Sequence, residues 1–234
     1  MIEVVTVYTA RKSHEKYMDF GPLLECQKKT AEKWGHKHVV VSDQKLKGMN
    51  VFNTELPASL MQAILAGQIA YLEAWDEKSA IVLVDVDCLV ARSLEHAFIL
   101  PFDLGLTNRE DPRCPINNGA MYIKPGNKAA VLAFFRAALA ICKSHWGGDQ
   151  EAISYVAAPV PIGQQIVARH FGELTLRLAF FSMLSHNCIP RYFGVRHKKN
   201  PYIVHFKGEE RKSWMKFYAY KFILNDAGGL RAAN

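Results

Sequence analysis

Short continuous apolar runs alternate along this chain with stretches in which apolar residues recur every three to four positions. Residues 3–9 (EVVTVYT) are β-branched and aromatic and predict a buried strand. Residues 20–34 predict a helix, with Gly35 in the stop position. A second short strand is expected over 38–41, ending at Ser42-Asp43. Leu60, Ile64, Leu65, Ile69 and Leu72 have helical spacing within 57–75. Residues 80–84 (AIVLV) then run without interruption onto Asp85-Val86-Asp87, as a strand buried on both faces reads. This alternation predicts a parallel sheet with helices on its faces.

The second half is less regular. Strands are expected over 102–107 and 120–123, helices over 128–143 and 150–156, and residues 164–176 fit neither period clearly. A late strand over 202–206 leads through a loop to an amphipathic stretch, 214–224. No repeat, low-complexity tract or Pro/Gly/Ser linker divides the chain, so one compact domain is expected.

Composition changes this picture little. Half of the 234 residues are hydrophobic, a globular balance. The five cysteines are scattered and form no CxxC pair, which argues against zinc and suggests reduced thiols in the cytoplasm. Met1 leads straight into an apolar run, so no secretory leader is expected. The most apolar helix, 129–142, is interrupted by Arg136 and is too short to span a membrane. The net charge of +7 is more informative in its distribution. Between residues 191 and 221 lie Arg191, Arg196, Lys198, Lys199, Lys207, Arg211, Lys212, Lys216 and Lys221, opposed by Glu209 and Glu210. Such a segment fits a polyanion: a diphosphate, DNA or an anionic surface.

The chemistry gathers in four places. Residues two apart on an extended segment point the same way, so Asp85 and Asp87 face one site at a strand's carboxyl end, where open α/β sheets bind ligands. Two hard oxygen donors suit Mn²⁺ or Mg²⁺. His205 follows the apolar run 202–204 and is a candidate third ligand; Gly208 permits a tight turn, and Arg211 and Lys212 suit phosphate oxygens. Asn117-Asn118-Gly119 sets two carboxamides before the expected strand at 120, suited to sugar hydroxyls or to a plain turn. Asp149-Gln150 stands at an expected helix start, where Asp149 also reads as a simple N-cap.

Taken in order, these pieces resemble the glycosyltransferases of the GT-A fold, and most closely the retaining family that includes glycogenin and the bacterial lipopolysaccharide galactosyltransferases. That family's pattern is DxD at a strand end, Asn-x-Gly, Asp-Gln, then His-x-x-Gly leading to Lys-Pro-Trp. Here it is matched by Asp85-Val86-Asp87, Asn117-Asn118-Gly119, Asp149-Gln150 and His205-Phe206-Lys207-Gly208, over most of the chain. The last element departs: Lys212-Ser213-Trp214 replaces Lys-Pro-Trp one residue late, which leaves both Arg211 and Lys212 as diphosphate ligands. The resemblance implies a Rossmann-like mixed sheet flanked by helices in a single domain, with residues 1–90 as a nucleotide-binding half and 91–234 serving donor sugar and acceptor. It implies a nucleoside-diphosphate sugar as donor and Mn²⁺ or Mg²⁺ held by Asp85, Asp87 and His205. Tyr8, Thr9 and Ala10 would cradle base and ribose, Asp85 would also reach the ribose, Asn117, Asn118 and Gln150 would hold the donor sugar, and Asp149 would lie near the reacting carbon.

Two other readings use the same residues. The acceptor could be a hydroxymethylated base in DNA, as for some viral enzymes (which would place the protein in a host cytoplasm), with Tyr192, Phe193, Tyr202 and Trp214 stacking on bases. The acids and histidine could instead serve a metal-dependent phosphodiesterase or nuclease, although a two-metal clamp usually takes more carboxylates.

Overall fold

The computed structural model describes residues 1–8, 20–42, 60–109, 111–161, 165–196 and 200–225. Strand β1 (Ile2–Tyr8), helix α1 (Gly21–Lys33), β2 (Lys37–Ser42), α2 (Leu60–Ala74) and β3 (Ala80–Val84) follow the expected alternation. β1 pairs in parallel with both β2 and β3. Both faces of β1 and β3 are covered. Val5, Val7, Ile81 and Leu83 pack with α2 and with α3 (Lys128–Ile141) in one core, while Ile2, Val4, Val82 and Val84 pack in a second core on the other face. That double burial is why neither strand shows an apolar–polar alternation.

The remaining elements are β4 (Cys88–Val90), a 3₁₀ turn (Glu95–Ile99), β5 (Leu104–Asn108), β6 (Ile116–Ile123), α3, α4 (Gly148–Ala157), β7 (Ile166–Phe171), β8 (Leu174–Ser182), α5 (Met183–His186), β9 (Ile203–His205) and α6 (Glu209–Tyr218). The last helix continues as a π-helical stretch, Ala219–Leu224. The main sheet has seven strands in the order β2-β1-β3-β6-β5-β8-β7, and β4 and β9 form a small second sheet. β6 runs antiparallel to both β3 and β5, so the sheet is mixed. A third core, under α1 and α6, contains Leu23, Cys26, Leu89, Val204, Phe206 and Met215. No helix among the described residues is long and apolar enough to cross a membrane.

Three expectations are corrected. β6 begins at Ile116, so Asn117-Asn118-Gly119 lies within a strand and does not form a turn before one. β5 and β6 lose register there: Leu106 faces Met121 but Thr107 faces Asn117, so β6 carries a bulge at these residues. Gly147 takes the N-cap of α4, which puts Asp149 inside its first turn. Within residues 164–176, where neither period was clear, the chain forms β7 and the start of β8, which pair as an antiparallel hairpin.

Candidate active site

The site forms where β3 ends. The Asp85 N–H donates to the Gly119 carbonyl (3.1 Å) and the Cys88 N–H to the Asp85 carbonyl (3.1 Å), closing a tight turn over Asp85–Cys88. Buried Gln27 of α1 pins this turn: its Nε2 donates to the carbonyls of Asp85 (2.9 Å) and Cys88 (3.1 Å). The chain then enters β4, whose Cys88 lies opposite His205 of β9. The Phe206 N–H donates to the Asp87 carbonyl (2.8 Å). A three-residue ladder thus carries a histidine from near the end of the chain onto a pair of acids from its middle.

His205 Nε2 lies 3.2 Å from Asp87 Oδ1 and 3.7 Å from Asp85 Oδ2. Lys212 Nζ lies 3.3 Å from Asp87 Oδ2. The imidazole is seated against Gly119, where an added Cβ would stand 2.5 Å from both Cε1 and Nδ1 of the ring and 3.2 Å from Asp85 Oδ2. Only a residue without a side chain admits this approach.

The two acids differ. Burial would raise the Asp87 carboxyl, but the His205 ring and the Lys212 ammonium outweigh it and hold the group well below the usual carboxylate range. Burial pushes Asp85 up to about 6; His205 opposes that rise, and the charges of Asp87 and Asp149 add to it. The His205 ring is raised: burial disfavours its charged form, and Asp87 more than compensates. Asp85 keeps 39% of its side chain exposed, against 8% for Asp87, so Asp85 is the acid that opens outward.

The donor set fits a divalent cation. Neighbouring ligands of an octahedral ion held at about 2.1 Å stand ~3 Å apart, close to the spacings His205 makes with the two acids. Among the described residues, one group of three ligand atoms lies mutually within 4.8 Å: Asp87, Cys88 and His205, with Asp85 outside it. Cys88 fits less well than Asp85. Its thiol donates to the Gly119 carbonyl (3.2 Å), and burial keeps it protonated by pushing its pKa far up. Two carboxylates and one imidazole are a set that suits a divalent cation.

The carboxamides and Asp149 line up beside this centre. Asn118 Nδ2 donates to Asp149 Oδ2 (2.6 Å), and both residues are buried. Burial raises the Asp149 carboxyl, against the Asn118 bond. The Asn117 carboxamide turns back on its own bulge, accepting from the Gly119 N–H (3.2 Å), with Nδ2 3.5 Å from Met183 Sδ. Gln150, also buried, directs Nε2 at Cys114 Sγ (3.0 Å).

Gly208 precedes α6 with φ 94° and ψ 152°, a backbone conformation closed to other residues without strain. Within that helix the two cations diverge. Arg211 donates to the carbonyls of Pro190 (3.1 Å) and Lys207 (3.0 Å), while Lys212 turns to Asp87 and lies 5.5 Å over the Phe20 ring. Phe20 in turn lies 5.5 Å from Tyr8 at the end of β1, so an aromatic pair adjoins the acids. Thr9 and Ala10 lie outside the described residues.

The basic segment is divided in the same way. Lys207 is near enough for its charge to act on Asp85, Asp149 and His205. Tyr202 is half-buried and stacked between His186 (4.9 Å) and His96 (5.4 Å). Trp214 is half-buried against Phe193 (5.8 Å), which leaves Tyr192 and Phe193 as the exposed members of the expected base-stacking set.

Three contributors escaped sequence reasoning: Gln27, and Thr107 and Asn187, which are hydrogen-bonded to each other (3.0 Å) with Asn187 also 2.9 Å from His205 Nδ1. Gln27 was hidden inside an ordinary helical period. Asn187 lies at the C-cap of α5, in a stretch for which no element was expected, and its role depends on what lies across the fold.

The sequence matches no protein-family model and no curated protein sequence. The structure is similar to several solved ones. A glycosyltransferase involved in the glycosylation of the major capsid of PBCV-1 superposes with a TM-score of 0.57 at 14% identity, over 91% of this chain and 98% of that one. The WbbM bifunctional glycosyltransferase gives 0.57 at 10% identity, over 95% of this chain and 52% of that one. An active-site mutant of LgtC gives 0.52 at 11% identity, over 97% of this chain and the full length of the other. At these identities the likeness is one of architecture: this chain has the GT-A fold of those glycosyltransferases.

Proposed function

We propose that this protein is a metal-dependent glycosyltransferase that moves a sugar from a nucleoside-diphosphate sugar to an acceptor hydroxyl on a saccharide, a lipid-linked glycan or a small molecule. The observation that carries the proposal is the meeting of Asp85, Asp87, His205 and Lys212 at the carboxyl end of β3. Asp85, Asp87 and His205 would hold Mn²⁺ or Mg²⁺, which would supply positive charge to stabilise the departing diphosphate. Lys212 places a second positive charge where that charge develops. We assign this role to Lys212 in preference to Arg211, whose guanidinium is engaged with backbone carbonyls.

Residues 1–90 serve the nucleotide, with Tyr8, Thr9 and Ala10 at the base and ribose. Asn117, Asn118 and Gln150 face the donor sugar, and Asp149, held by Asn118, opposes the positive charge that the anomeric carbon acquires. In the transfer, the bond from that carbon to the β-phosphate oxygen breaks and one to the acceptor oxygen forms, while the acceptor's proton leaves to a base. A DNA acceptor is less well supported, because Tyr202 and Trp214 are committed to packing.

The test is a panel of nucleoside diphosphates and their sugar conjugates, with and without Mn²⁺, read by thermal shift and by release of nucleoside diphosphate. One conjugate is expected to raise the melting temperature in a metal-dependent way. Asp87→Ala is expected to lower its turnover by about 10³-fold. Full turnover in a folded Asp87→Ala variant would remove the proposal.

A further inference from the structure

We infer that Asn187 is the residue that positions His205 as a ligand, by fixing a proton on Nδ1 so that Nε2 is the nitrogen whose lone pair serves a cation between the ring and the two acids. The inference rests on reading the site as a divalent-cation centre.

The argument starts from a group whose role is not adjustable. The Asn117 carbonyl can only accept, and Asn187 has a carboxamide atom 3.1 Å from it. That atom must be the nitrogen, since the reversed amide would set two acceptors against each other. The Thr107 hydroxyl donates to the same carbonyl, which leaves its lone pair to accept from Asn187 Nδ2 at 3.0 Å. With Nδ2 so placed, the amide oxygen is the atom that faces His205 Nδ1, at 2.9 Å. An amide oxygen only accepts, so Nδ1 carries a proton. With Nδ1 so held, Nε2 is the nitrogen that turns to Asp87 (3.2 Å) and Asp85 (3.7 Å), and a cation bound there would take its lone pair.

Burial makes this chain of constraints effective. Asn187 and Thr107 are fully buried and His205 nearly so, which leaves no room for water to substitute for any partner. The backbone is tied in parallel: the His205 N–H donates to the carbonyl of Cys188, next to Asn187, and the Cys188 N–H donates to Ile203. Gly119 closes the other side of the ring. Such outer partners of a ligating histidine set its tautomer and orientation.

Two measurements test this. Two-bond ¹⁵N–¹H spectra of the wild-type protein, without metal and with Mg²⁺, are expected to show a proton on His205 Nδ1 in both. Titration with Mn²⁺, followed by the spin resonance of the free ion, is expected to show Asn187→Leu weakened by roughly 10- to 100-fold. A His205 ring without a proton on Nδ1 would overturn the inference, and so would Mn²⁺ affinity in Asn187→Leu equal to wild type. The first readout needs no variant, so misfolding of Asn187→Leu does not blunt it. A wild-type protein that binds no divalent ion would instead overturn the reading of the site, while the tautomer would still report whether Asn187 sets the ring.

Discussion

The parallel strands β1–β3 and the antiparallel region of β4, β6 and β9 meet at Asp85, and they are held by different forces. In the first, Val4, Val5, Val82 and Leu83 are buried by helices above and below, and shape and volume do the fixing. In the second, the decisive contacts are polar and short: Gln27 on the turn carbonyls, Asn187 on the histidine, Gly119 beneath the ring. The scaffold tolerates a change of residue in proportion to the cavity it leaves. The site tolerates almost none, because its groups have single acceptable partners. Damage to the first region should therefore appear in stability, and damage to the second in ligand binding.

Leu65→Ala in α2 probes the first region. The side chain is fully buried among Val5, Ile81 and Leu104 and is remote in sequence from every proposed ligand. Its loss should cost about 3 kcal/mol of unfolding free energy in urea melts, with the Mn²⁺ affinity of the folded protein unchanged. A parallel fall in affinity would show that core and site are not separable as described.

Gly119→Ala probes the second region. The new methyl meets His205 at 2.5 Å, with Asp85 Oδ2 beyond it. The ring must shift by about 1 Å, and a displacement of that size costs ~10²-fold in a positioned reaction. Mn²⁺ affinity and nucleotide-sugar turnover should both fall to that extent, while the urea midpoint moves less than in Leu65→Ala. Wild-type affinity in Gly119→Ala would mean that the ring's position is not constrained from this side.

The same division decides what could be read from the sequence. β3 was legible to the residue, because a run buried on both faces has no competing explanation. Asp85 and Asp87 were legible with it, since a strand end fixes where its next residues point. β6 was not: Asn117-Asn118-Gly119 has the composition of a turn, and its inclusion in a strand depends on a bulge that β5 and β3 impose from either side. β4 has three residues and forms only because β9 lies beside it. β7 is an edge strand with alternating exposure, too weak a period to separate from a helix. Arg211 and Lys212 were indistinguishable as neighbouring cations until α6 turned one toward backbone carbonyls and the other toward Asp87.

A buried histidine outside the proposed ligand set offers the smallest and most separable test. His186 is 6% exposed, packed between Phe181 and Tyr202, with Nδ1 3.1 Å from the Tyr122 hydroxyl. Burial, reinforced by the nearby His96, lowers its pKa to about 4. In the unfolded chain the ring titrates near 6.5. The folded state thus holds a neutral ring at pH values where the unfolded chain has already taken up a proton. The stabilising contribution is complete above pH ~6.5 and is lost as the pH falls toward ~4, the loss reaching roughly 2.5 kcal/mol at pH 4.5. Half-buried His38, in the parallel region, is also lowered to about 4 and contributes in the same direction, whereas the raised Asp85 opposes it. The difference between wild type and His186→Phe cancels those shared groups. In urea melts from pH 7 to pH 4.5, the variant should lose less stability than wild type, by up to the proton that His186 no longer binds on unfolding. Identical slopes for the two proteins would mean that the ring titrates normally in the folded state and that its neighbours admit its charge.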